Sequence, residues 1–583
     1  MPRPSASSLP PKTRVLRAGP LALEFSPTSG DLRYIRTAAL ELIRRVYFVA
    51  RDRNWLNVPL RLSQPQIRVS RDGFQIDASG RSTCNGVDLV WRLQIAGTRD
   101  RTITFSVSGR ALADCVTNRA GLCVHLPLEG FAGAHYELIA GDGSRNKLIL
   151  PADVAPHQPC TDIRVMRFQL PRRHRLELAF DGDEFEIEDQ RNWIDGSFKI
   201  YSRPLARGYP YKLKAGEAFS QSLTIRLLAP ASAPVGGVPP PRLSSSTPIT
   251  VHVGKKLPYA APALGLALPS DLKLATNHEA AALSRLGIAH LRADFEDFGR
   301  DLPARVRRAV AASTQLGAPL EVAVCPGEKT PAHDVTALAR ALRDAGARVA
   351  RMLVFGPRGR CTDSRSAFAA AHRVFGPICA AGTDFNFAEL NRGRPRLPAT
   401  RAFAFAANPQ VHASDEQSMA ECLEGLRHCL ASARHYFPRA SIGVSRLTLR
   451  PQKSAVATQP WPEDEARRFD PRQSSAWCAA WTVGALGALQ AGGAASTTLY
   501  ETIGRGGLLV GAKIFPVYRV IADYLACGNA APSALEISEP LRLAGWARED
   551  RLALANLTPA PVRVSVNGRT MHLPAHGYFC VST

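Results

Sequence analysis

The amino-acid sequence predicts a multidomain fold of α/β plus all-β class, with a central (β/α)8 barrel flanked by an N-terminal β-sandwich and a small C-terminal β-domain. The chain has 583 residues, which is too long for one hydrophobic core, since cores stop growing at about 250–300 residues. Strand-like alternation fills the first third, and repeated pairs of an apolar run and a helical stretch follow it. A segment rich in Pro, Gly and Ser separates these two parts.

Residues 13–228 are predicted to form the N-terminal β-sandwich, after a disordered tail at residues 1–12. Residues 32–49 fit either a strand or a helix. About 200 residues of strand pattern, separated by turn pairs such as Asn85-Gly86, favour a large sandwich. The clearest alternation occurs in RTITFSVSG (101–109), HRLELAF (174–180) and SQSLTIRLL (220–228).

A linker is predicted at residues 229–248, where Pro, Gly and Ser disfavour regular structure. Residues 249–530 then show the pattern of a barrel domain, because eight short apolar runs alternate with helical stretches. The predicted strands are residues 262–268, 288–294, 320–325, 351–356, 378–385, 402–408, 441–447 and 496–501. Strand-like runs return in residues 531–583, which predicts the C-terminal β-domain.

Composition and charge exclude several classes of partner. The formal net charge is +23, but the basic residues are mostly scattered Arg, without the long block or recognition motif of a nucleic-acid binder. No apolar stretch approaches the ~18 residues of a membrane span, and the N-terminus lacks the apolar core of a signal peptide. Twelve dispersed cysteines without a C-x-x-C motif suit a reducing compartment. We therefore expect a cytoplasmic protein that binds neither nucleic acid nor membrane.

The motifs of common cofactor and metal sites are missing from the sequence. It contains no H-E-x-x-H, and its 14 histidines form no tight cluster. The Gly-rich GRGG at 504–507 lacks both the lysine of a phosphate-binding loop and the spacing of a dinucleotide-binding turn. We expect a site that needs no metal and no cofactor.

Polar residues at the carboxyl ends of the predicted barrel strands are the candidate active-site residues. Barrel enzymes place their chemistry there because the loops from strand to helix converge on that face. Glu389 and Glu501 are candidate catalytic acid/base groups, and His412 joins them because imidazole titrates near neutral pH. The candidate substrate-binding residues are Arg292, Asp294, Asn386, Asn408, Arg446 and Tyr500.

Five of these candidates also have a purely structural interpretation. Arg292 and Asp294 could form an ion pair at the end of their strand, and Glu389 could pair with the arginine three residues later. His412 could bond a loop backbone, and Glu501 could cap the Gly-rich turn that follows it.

One segment of the predicted sandwich, FEIEDQRNWIDGSFKIYSRPL (185–205), is unusually rich in polar and aromatic residues. Its indole could stack on a sugar ring while neighbouring polar groups bond the hydroxyls. Alternatively, the segment forms a structural polar network that locks the sandwich to the barrel. Its candidate site residues are Asp189, Arg191, Asn192, Trp193 and Asp195.

With this segment, the sequence resembles the D-apionate lactonase family. The likeness extends in order through HLRADF (290–295), GTDFNFAELNRGRP (382–395) and NPQVHASDE (408–416), and it covers essentially the whole chain after the tail. The resemblance implies a TIM barrel between two β-domains. It also implies hydrolysis of a small sugar lactone, D-apionolactone, to D-apionate in the breakdown of D-apiose. It assigns no catalytic residue.

A mechanism follows as a hypothesis from the strand-end residues. Lactone hydrolysis needs an activated water, a group that holds the tetrahedral oxyanion and an acid for the departing alkoxide. In this hypothesis Glu389 or His412 is the base, Arg292 is the oxyanion partner, and Glu501 is the acid or a substrate anchor.

Two other functions stay open on the sequence alone. A barrel glycoside hydrolase would use a carboxylate pair, but the usual positions follow the fourth and seventh strands, whereas Glu389 and Glu501 follow the predicted fifth and eighth. A carbohydrate-binding protein would lack converging acid/base groups at the barrel mouth.

Overall fold

The computed structural model describes residues 13–38, 40–228, 247–397, 400–453, 468–549 and 551–582, which form two compact units. The first unit contains the described residues up to Gln190 and from Ser197 to 228. The second contains Arg191–Gly196 and the described residues from 247 onward. The predicted tail at 1–12 and residues 229–246 of the predicted linker lie outside the described residues.

Two antiparallel sheets around one apolar core make up the first unit. Alternate side chains point inward: Val46 and Leu122 come from one sheet, and Phe105 and Leu178 from the other. Most of the ambiguous stretch 32–49 lies in the strands Leu32–Arg36 and Glu41–Asp52, whose apolar residues, such as Leu32 and Val46, are buried in this core. The first sheet consists of Arg14–Ala18, Leu21–Phe25, Leu32–Arg36, Glu41–Asp52, Cys115–Pro127, Ser197–Tyr201 and Glu186–Asp189, with Tyr211–Leu213 beside Cys115–Pro127. The second consists of Arg145–Ile149, His135–Ala140, Ile163–Leu170, His174–Asp181, Ala218–Leu228, Thr102–Ala111, Val87–Thr98, Gly73–Cys84 and Leu60–Leu62, with Gln66–Ser70 beside Gly73–Cys84.

Eight parallel strands close into a barrel in the second unit, which confirms the predicted barrel. In chain order they are β1 (Ala263–Ala267), β2 (His290–Phe295), β3 (Leu320–Val324), β4 (Val349–Val354), β5 (Cys379–Gly382), β6 (Ala402–Ala407), β7 (Ser441–Leu447) and β8 (Ser496–Glu501). β8 pairs with β1 and closes the ring. Every predicted run overlaps one of these strands.

A helix follows each barrel strand. The helices are α1 (Asn277–Ser284), α2 (Leu302–Leu316), α3 (Pro331–Asp344), α4 (Arg365–Phe375), α5 (Phe387–Gly393), α6 (Glu416–Tyr436), α7 (Ala476–Gly492) and α8 (Pro516–Leu525). Local signals set their ends: Thr276 and Glu279 form a capping box before α1, and Gly317 takes a left-handed conformation (φ 72°) directly after α2. Because all eight strands run the same way, their carboxyl ends and the following loops converge on one face.

A seven-stranded sheet contains the predicted C-terminal strands together with one strand from before the barrel. Ile249–Lys256, which the sequence places in the barrel domain, pairs parallel with Val562–Val566 and antiparallel with Pro532–Ile537. Ile249 and Val251 are buried in the core of that sheet, so the barrel itself starts at β1. The other strands of the sheet are Leu543–Arg548, Arg551–Asn556, Arg569–Leu573 and Tyr578–Ser582. A short hairpin, Leu509–Val510 with Lys513–Ile514, lies between β8 and α8.

The segment Arg191–Gly196 packs closely against α6 within the second unit. The backbone of Ile194 runs so near Gly425 that no Cβ fits between them, and Cys429 Sγ donates to the carbonyl oxygen of Arg191 at 2.7 Å. Ile194 is fully buried and has a left-handed backbone (φ 64°). The glycine and the thiol on adjacent turns of α6 therefore form the surface that receives this segment.

Two broader expectations concern membranes and disulfides. Within the described part of the chain, no helix is both long enough and apolar enough to cross a membrane. All twelve cysteines lie in the described ranges, and each is a free thiol in the structure.

Gly425→Ala tests the packing of this segment on α6. Alanine favours a helix over glycine by about 1 kcal/mol, but the added Cβ would lie 2.0 Å from the carbonyl oxygen of Ile194. Overpacking of this kind costs about 1–3 kcal/mol, so we expect a lower midpoint in urea unfolding. Gln417→Ala, at an exposed position of the same helix, should leave the midpoint nearly unchanged. A raised midpoint for Gly425→Ala would contradict the close contact.

Candidate active site

A buried hydrogen-bond network lies inside the barrel, with Glu321 of β3 at its centre. Glu321 Oε1 accepts hydrogen bonds from Ser445 Oγ at 2.5 Å and Thr498 Oγ1 at 2.7 Å, and Oε2 accepts one from Arg351 at 3.0 Å. His290 Nε2 lies 2.8 Å from the Thr498 hydroxyl. Burial alone would raise the pKa of Glu321, but the charges of His290 and Arg351 and the Ser445 hydrogen bond lower it to about 2. Glu321 is therefore an ionised carboxylate inside the barrel.

Arg292 of β2 connects this network to a layer of charges at the strand ends. The guanidinium is fully buried, and its Nη1 donates to the carbonyl oxygen (2.5 Å) and hydroxyl (3.0 Å) of Ser445. Nε and Nη2 donate to Asp294 Oδ1 at 3.0 and 2.7 Å, and Nη2 also donates to Asp384 Oδ1 at 2.5 Å. Arg446 of β7 lies 3.5 Å from the carboxylate of Asp294 and 3.7 Å from that of Asp384. The Arg292–Asp294 ion pair is present, and all three guanidinium nitrogens have protein acceptors.

Lys453 occupies the centre of a group of three ligand-type side chains. One donor atom each from Glu296, Cys325 and Asp384 lies within 4.8 Å of the other two, a spacing that could hold a metal ion. The Lys453 ammonium is 2.9 Å from Asp384 Oδ2, pairs with Glu296 and lies 3.5 Å from the Cys325 thiol. Burial alone would lower the pKa of Lys453, but the charge of Asp384 raises it well above its ordinary value. A protein cation thus takes the position that a metal would need.

A small cavity opens at the ends of β7 and β8. Its charged and hydroxyl lining comes from Arg446, Thr448, Arg450, Arg468, Asp470, Tyr500 and Glu501. Acid/base and guanidinium groups therefore face the same space at the carboxyl ends of these two strands.

Glu501 is the titratable group of this cavity whose environment is most unusual. Its carboxylate is 3.6 Å from Arg468, and its side chain is 9% exposed. Burial raises the pKa of Glu501 from 4.5 to about 7, although Arg446 and Arg468 both act to lower it. The backbone N–H of Glu501 donates to the carbonyl oxygen of Gly506, so the Gly-rich turn holds the residue through its main chain.

Three other predicted substrate-binding residues, Tyr500, Asn408 and Asn386, differ in their hydrogen bonding. Tyr500 lines the cavity, but its hydroxyl lies 2.7 Å from Thr482 Oγ1 and is buried. Asn408 Oδ1 accepts from the backbone of Gln410, which orders the loop after β6. Asn386 precedes α5, and its buried Nδ2 has no hydrogen-bond partner among the described residues.

His412 belongs to a second cluster, formed with the segment Arg191–Gly196. His412 Nδ1 lies 2.8 Å from Asp195 Oδ2, and the imidazole packs edge-on against Trp193. The Arg392 guanidinium lies 5.4 Å from the centre of the indole ring. The indole therefore packs against protein side chains here, and the carboxylate of Asp195 orients the imidazole.

The remaining candidates from the 185–205 motif have hydrogen-bond partners of their own. Asn192 Oδ1 accepts from Asn391 Nδ2 at 3.1 Å, and the fully buried Arg191 lies 3.3 Å from His428 Nδ1. Asp189 lies in the first unit, where its carboxylate accepts from the backbone of Ala155.

Glu389 sits on α5, where its side chain is half-buried near Cys361. Within the described ranges it makes no side-chain hydrogen bond or ion pair, so the proposed pair with Arg392 does not form. The structure joins Arg292, Asp294 and Arg446 in one set of ion pairs, and Arg446 lines the same cavity as Glu501. Glu389 and the His412 cluster lie outside that set.

Several charged residues of the site escape sequence reasoning. Glu321 is the second residue of its strand and so lies away from the carboxyl end, and Lys453 and Arg468 come from the long connection between β7 and α7. A lone carboxylate inside the apolar run LEVAVC was the available signal for Glu321, because a charged residue within a packed barrel needs a partner.

Glu321→Gln tests the interior network. A pKa lowered from 4.5 to about 2 stabilises the fold above pH 4.5, and this contribution is lost as the pH falls towards 2. We expect the variant to lose about 3 kcal/mol of unfolding free energy at pH 7, with the difference shrinking below pH 4.5. Urea unfolding at pH 7, 5 and 4 measures both effects. A difference that does not depend on pH would contradict an ionised Glu321.

The sequence of the chain is similar to those of known proteins. Two family models match the chain: the N-terminal domain of D-apionate lactonase over residues 3–230 and its TIM barrel domain over residues 264–529. The curated D-apionate lactonase of Brucella anthropi is 26% identical over 595 residues, covering 94% of this chain and 93% of the relative.

Solved structures give weaker likenesses. A GH30 endoxylanase from Clostridium papyrosolvens C71 is 9% identical with a TM-score of 0.40, over 58% of this chain and 100% of the endoxylanase. A putative aldose 1-epimerase from Escherichia coli K12 is 13% identical with a TM-score of 0.26, over 37% of this chain and 99% of the epimerase. The family assignment rests on the sequence matches: since they include both large parts of the chain and a curated relative of nearly full length, the chain belongs to the D-apionate lactonase family.

Proposed function

We propose that this protein hydrolyses the lactone of D-apionate at the barrel mouth, with Glu501 as the general base. The observation that carries the proposal is the buried carboxyl of Glu501, which has a pKa of about 7 and lines a cavity at the end of β8 together with Arg446 and Arg468. A base is most effective when its pKa lies near the working pH, because it is then partly ionised and still accepts a proton readily. Family membership supplies the substrate class.

The reaction needs one proton transfer in each direction. Ionised Glu501 removes a proton from water while the water oxygen bonds to the lactone carbonyl carbon, which gives a tetrahedral oxyanion. The intermediate then expels the ring oxygen, and protonated Glu501 returns the proton to that oxygen. The products are a hydroxyl group and a carboxylic acid, and the acid loses its proton to solvent.

Arg446 and Arg468 are the proposed partners of the oxyanion. Both guanidinium groups line the cavity with Glu501 and can donate hydrogen bonds to a developing negative charge. Arg292, the partner suggested by the sequence, already donates every nitrogen to protein acceptors. Its role in the proposal is to fix Asp294 and Asp384, which in turn orient Arg446.

The observed strand count argues against the glycoside hydrolase alternative. Glu501 ends β8 and Glu389 follows β5, whereas β4 ends at Val354 and β7 at Leu447. The described ends of β4 and β7 therefore carry no carboxylate, and the usual retaining pair has no counterpart there. A simple binding protein is disfavoured by a carboxyl with a pKa near neutrality facing two arginines.

The free cysteines bear on the cellular compartment of the reaction. Twelve free cysteines fit a reducing compartment, so we propose that the reaction takes place in the cytoplasm.

Glu501→Gln should lower kcat by roughly 10²–10⁴-fold on D-apionolactone, because an amide cannot accept the proton from water. In the unsubstituted enzyme, kcat/KM should rise with pH up to about 7 and then level off, since the base must be ionised. A pH-stat assay of acid release measures both quantities.

Two companion variants make this test specific. Glu536→Gln, at an exposed position of the C-terminal sheet, should keep full activity. Glu389→Gln tests the alternative base: if it loses activity as strongly as expected for Glu501→Gln while Glu501→Gln stays active, the assignment of the base is wrong.

A further inference from the structure

The first unit carries a groove whose residues take no part in the proposed reaction. The groove has a volume of about 940 Å³ and is open to solvent. This volume lies at the upper end of the range for small-molecule sites. The groove is at one end of the second sheet, between the loop before the strand His135–Ala140 and the turn that joins Ile163–Leu170 to His174–Asp181.

The charged side chains that line the groove are basic. They come from His135, Arg173, His174 and Arg175, and among the described residues the lining includes no Asp or Glu. Within the same described ranges, neither the Arg173 nor the Arg175 guanidinium forms an ion pair or a side-chain hydrogen bond, and both residues are exposed. His174 Nδ1 lies 3.0 Å from the carbonyl oxygen of Pro171, which orients the imidazole. The guanidinium N–H groups are therefore available to a bound anion.

The turn that presents Arg173 has a backbone that is unfavourable for arginine. Arg172 and Arg173 both have left-handed conformations, with φ 57° and 61°. Glycine and asparagine adopt this conformation at a lower cost. The shape of the turn therefore gives no reason for arginine at position 173, whereas an anion in the groove does.

The opposite wall of the groove is apolar and packs against this turn. A Cβ added to Gly130 would lie 3.3 Å from Cδ of Pro171, so the loop and the turn touch at this point. The loop is held by its backbone, since the N–H of Gly133 donates to the carbonyl oxygen of Leu150 at 3.0 Å. Leu170 adds apolar surface to the lining. The groove thus combines a fixed apolar wall with a basic edge.

We propose that this groove binds a small organic phosphate, with the phosphoryl group held by Arg173 and Arg175 and the organic body against the apolar wall. A phosphate monoester carries a charge of about −1.5 to −2 at pH 7 and accepts parallel hydrogen bonds from arginine. Arg173, His174 and Arg175 are consecutive in the chain, so their charge is concentrated as one phosphoryl group requires. The site uses no residue of the barrel and does not depend on lactone hydrolysis.

Calorimetry on the full chain with phenyl phosphate tests the proposal. Phenyl phosphate should bind at least about tenfold more tightly than phenol, because the phosphoryl group accepts charge-assisted hydrogen bonds. It should also bind more tightly than inorganic phosphate, which has no apolar body to place against the wall. Phenyl phosphate that binds no better than phenol, or no better than inorganic phosphate, would overturn the proposal.

Three variants place the binding in the groove. Arg175→Gln should weaken phenyl phosphate roughly tenfold, because charge-assisted hydrogen bonds are lost. Arg173→Gly should weaken it similarly and should fold normally, because glycine favours the left-handed backbone of this turn. Arg68→Gln removes an exposed arginine of the same sheet outside the groove and should leave the affinity unchanged. An equal loss in Arg68→Gln, or full affinity in both groove variants, would overturn the proposal.

Competition experiments distinguish a small ligand from a macromolecular partner. An acidic peptide or a nucleic-acid strand carries its charges spread along its length, unlike a single phosphoryl group. Hexaglutamate and an oligothymidylate should therefore displace phenyl phosphate only at higher concentrations than unlabelled phenyl phosphate does. If either displaces it at a lower concentration, the groove is a docking surface for that class of macromolecule and the assignment to a small organic phosphate is wrong.

Discussion

The proposed site depends on the hydrogen bonds that the buried guanidinium of Arg292 makes. It is fully enclosed by the barrel and spans two layers, with Ser445 on one side and the carboxylates of Asp294 and Asp384 on the other. A buried arginine is tolerable only when every donor has an acceptor, so each of these contacts constrains the others. Arg446 is the next residue after Ser445, which places the wall of the cavity directly beside this fixed point.

Two glutamates of one barrel show how surroundings set chemical role. Glu321 and Glu501 are both buried, yet the pKa of Glu321 is lowered to about 2 and that of Glu501 is raised to about 7. The difference comes from hydrogen-bond donors. Glu321 accepts three hydrogen bonds, two from hydroxyl groups and one from Arg351, whereas the Glu501 carboxylate lies 3.6 Å from Arg468. The first carboxylate is suited to holding structure, and the second to exchanging protons with a substrate.

The periodicity of the sequence was sufficient to predict all eight barrel strands, because each is a short apolar run closed by turn residues and followed by a helix. The same periodicity did not predict the sheet to which the strand Ile249–Lys256 belongs, because a strand pattern does not show which strands it pairs with.

At the proposed site, the strand-end rule predicts Arg292, Asp294, Arg446 and Glu501 from their positions along β2, β7 and β8. The same rule also predicts Glu389, but this residue lies in α5, where its side chain is near Cys361. Partners that depend on tertiary contact, such as Lys453 with Asp384 or Asp195 with His412, leave no local signal in the sequence.

The strand Ile249–Lys256 has a consequence for how the chain matures on the ribosome. Its pairing partners, Pro532–Ile537 and Val562–Val566, are synthesised only after all eight barrel strands. Until then the strand has open edges, which are prone to pairing with other chains. The nascent protein therefore reaches its final sheet late, and a stop codon before residue 532 would leave that edge permanently exposed.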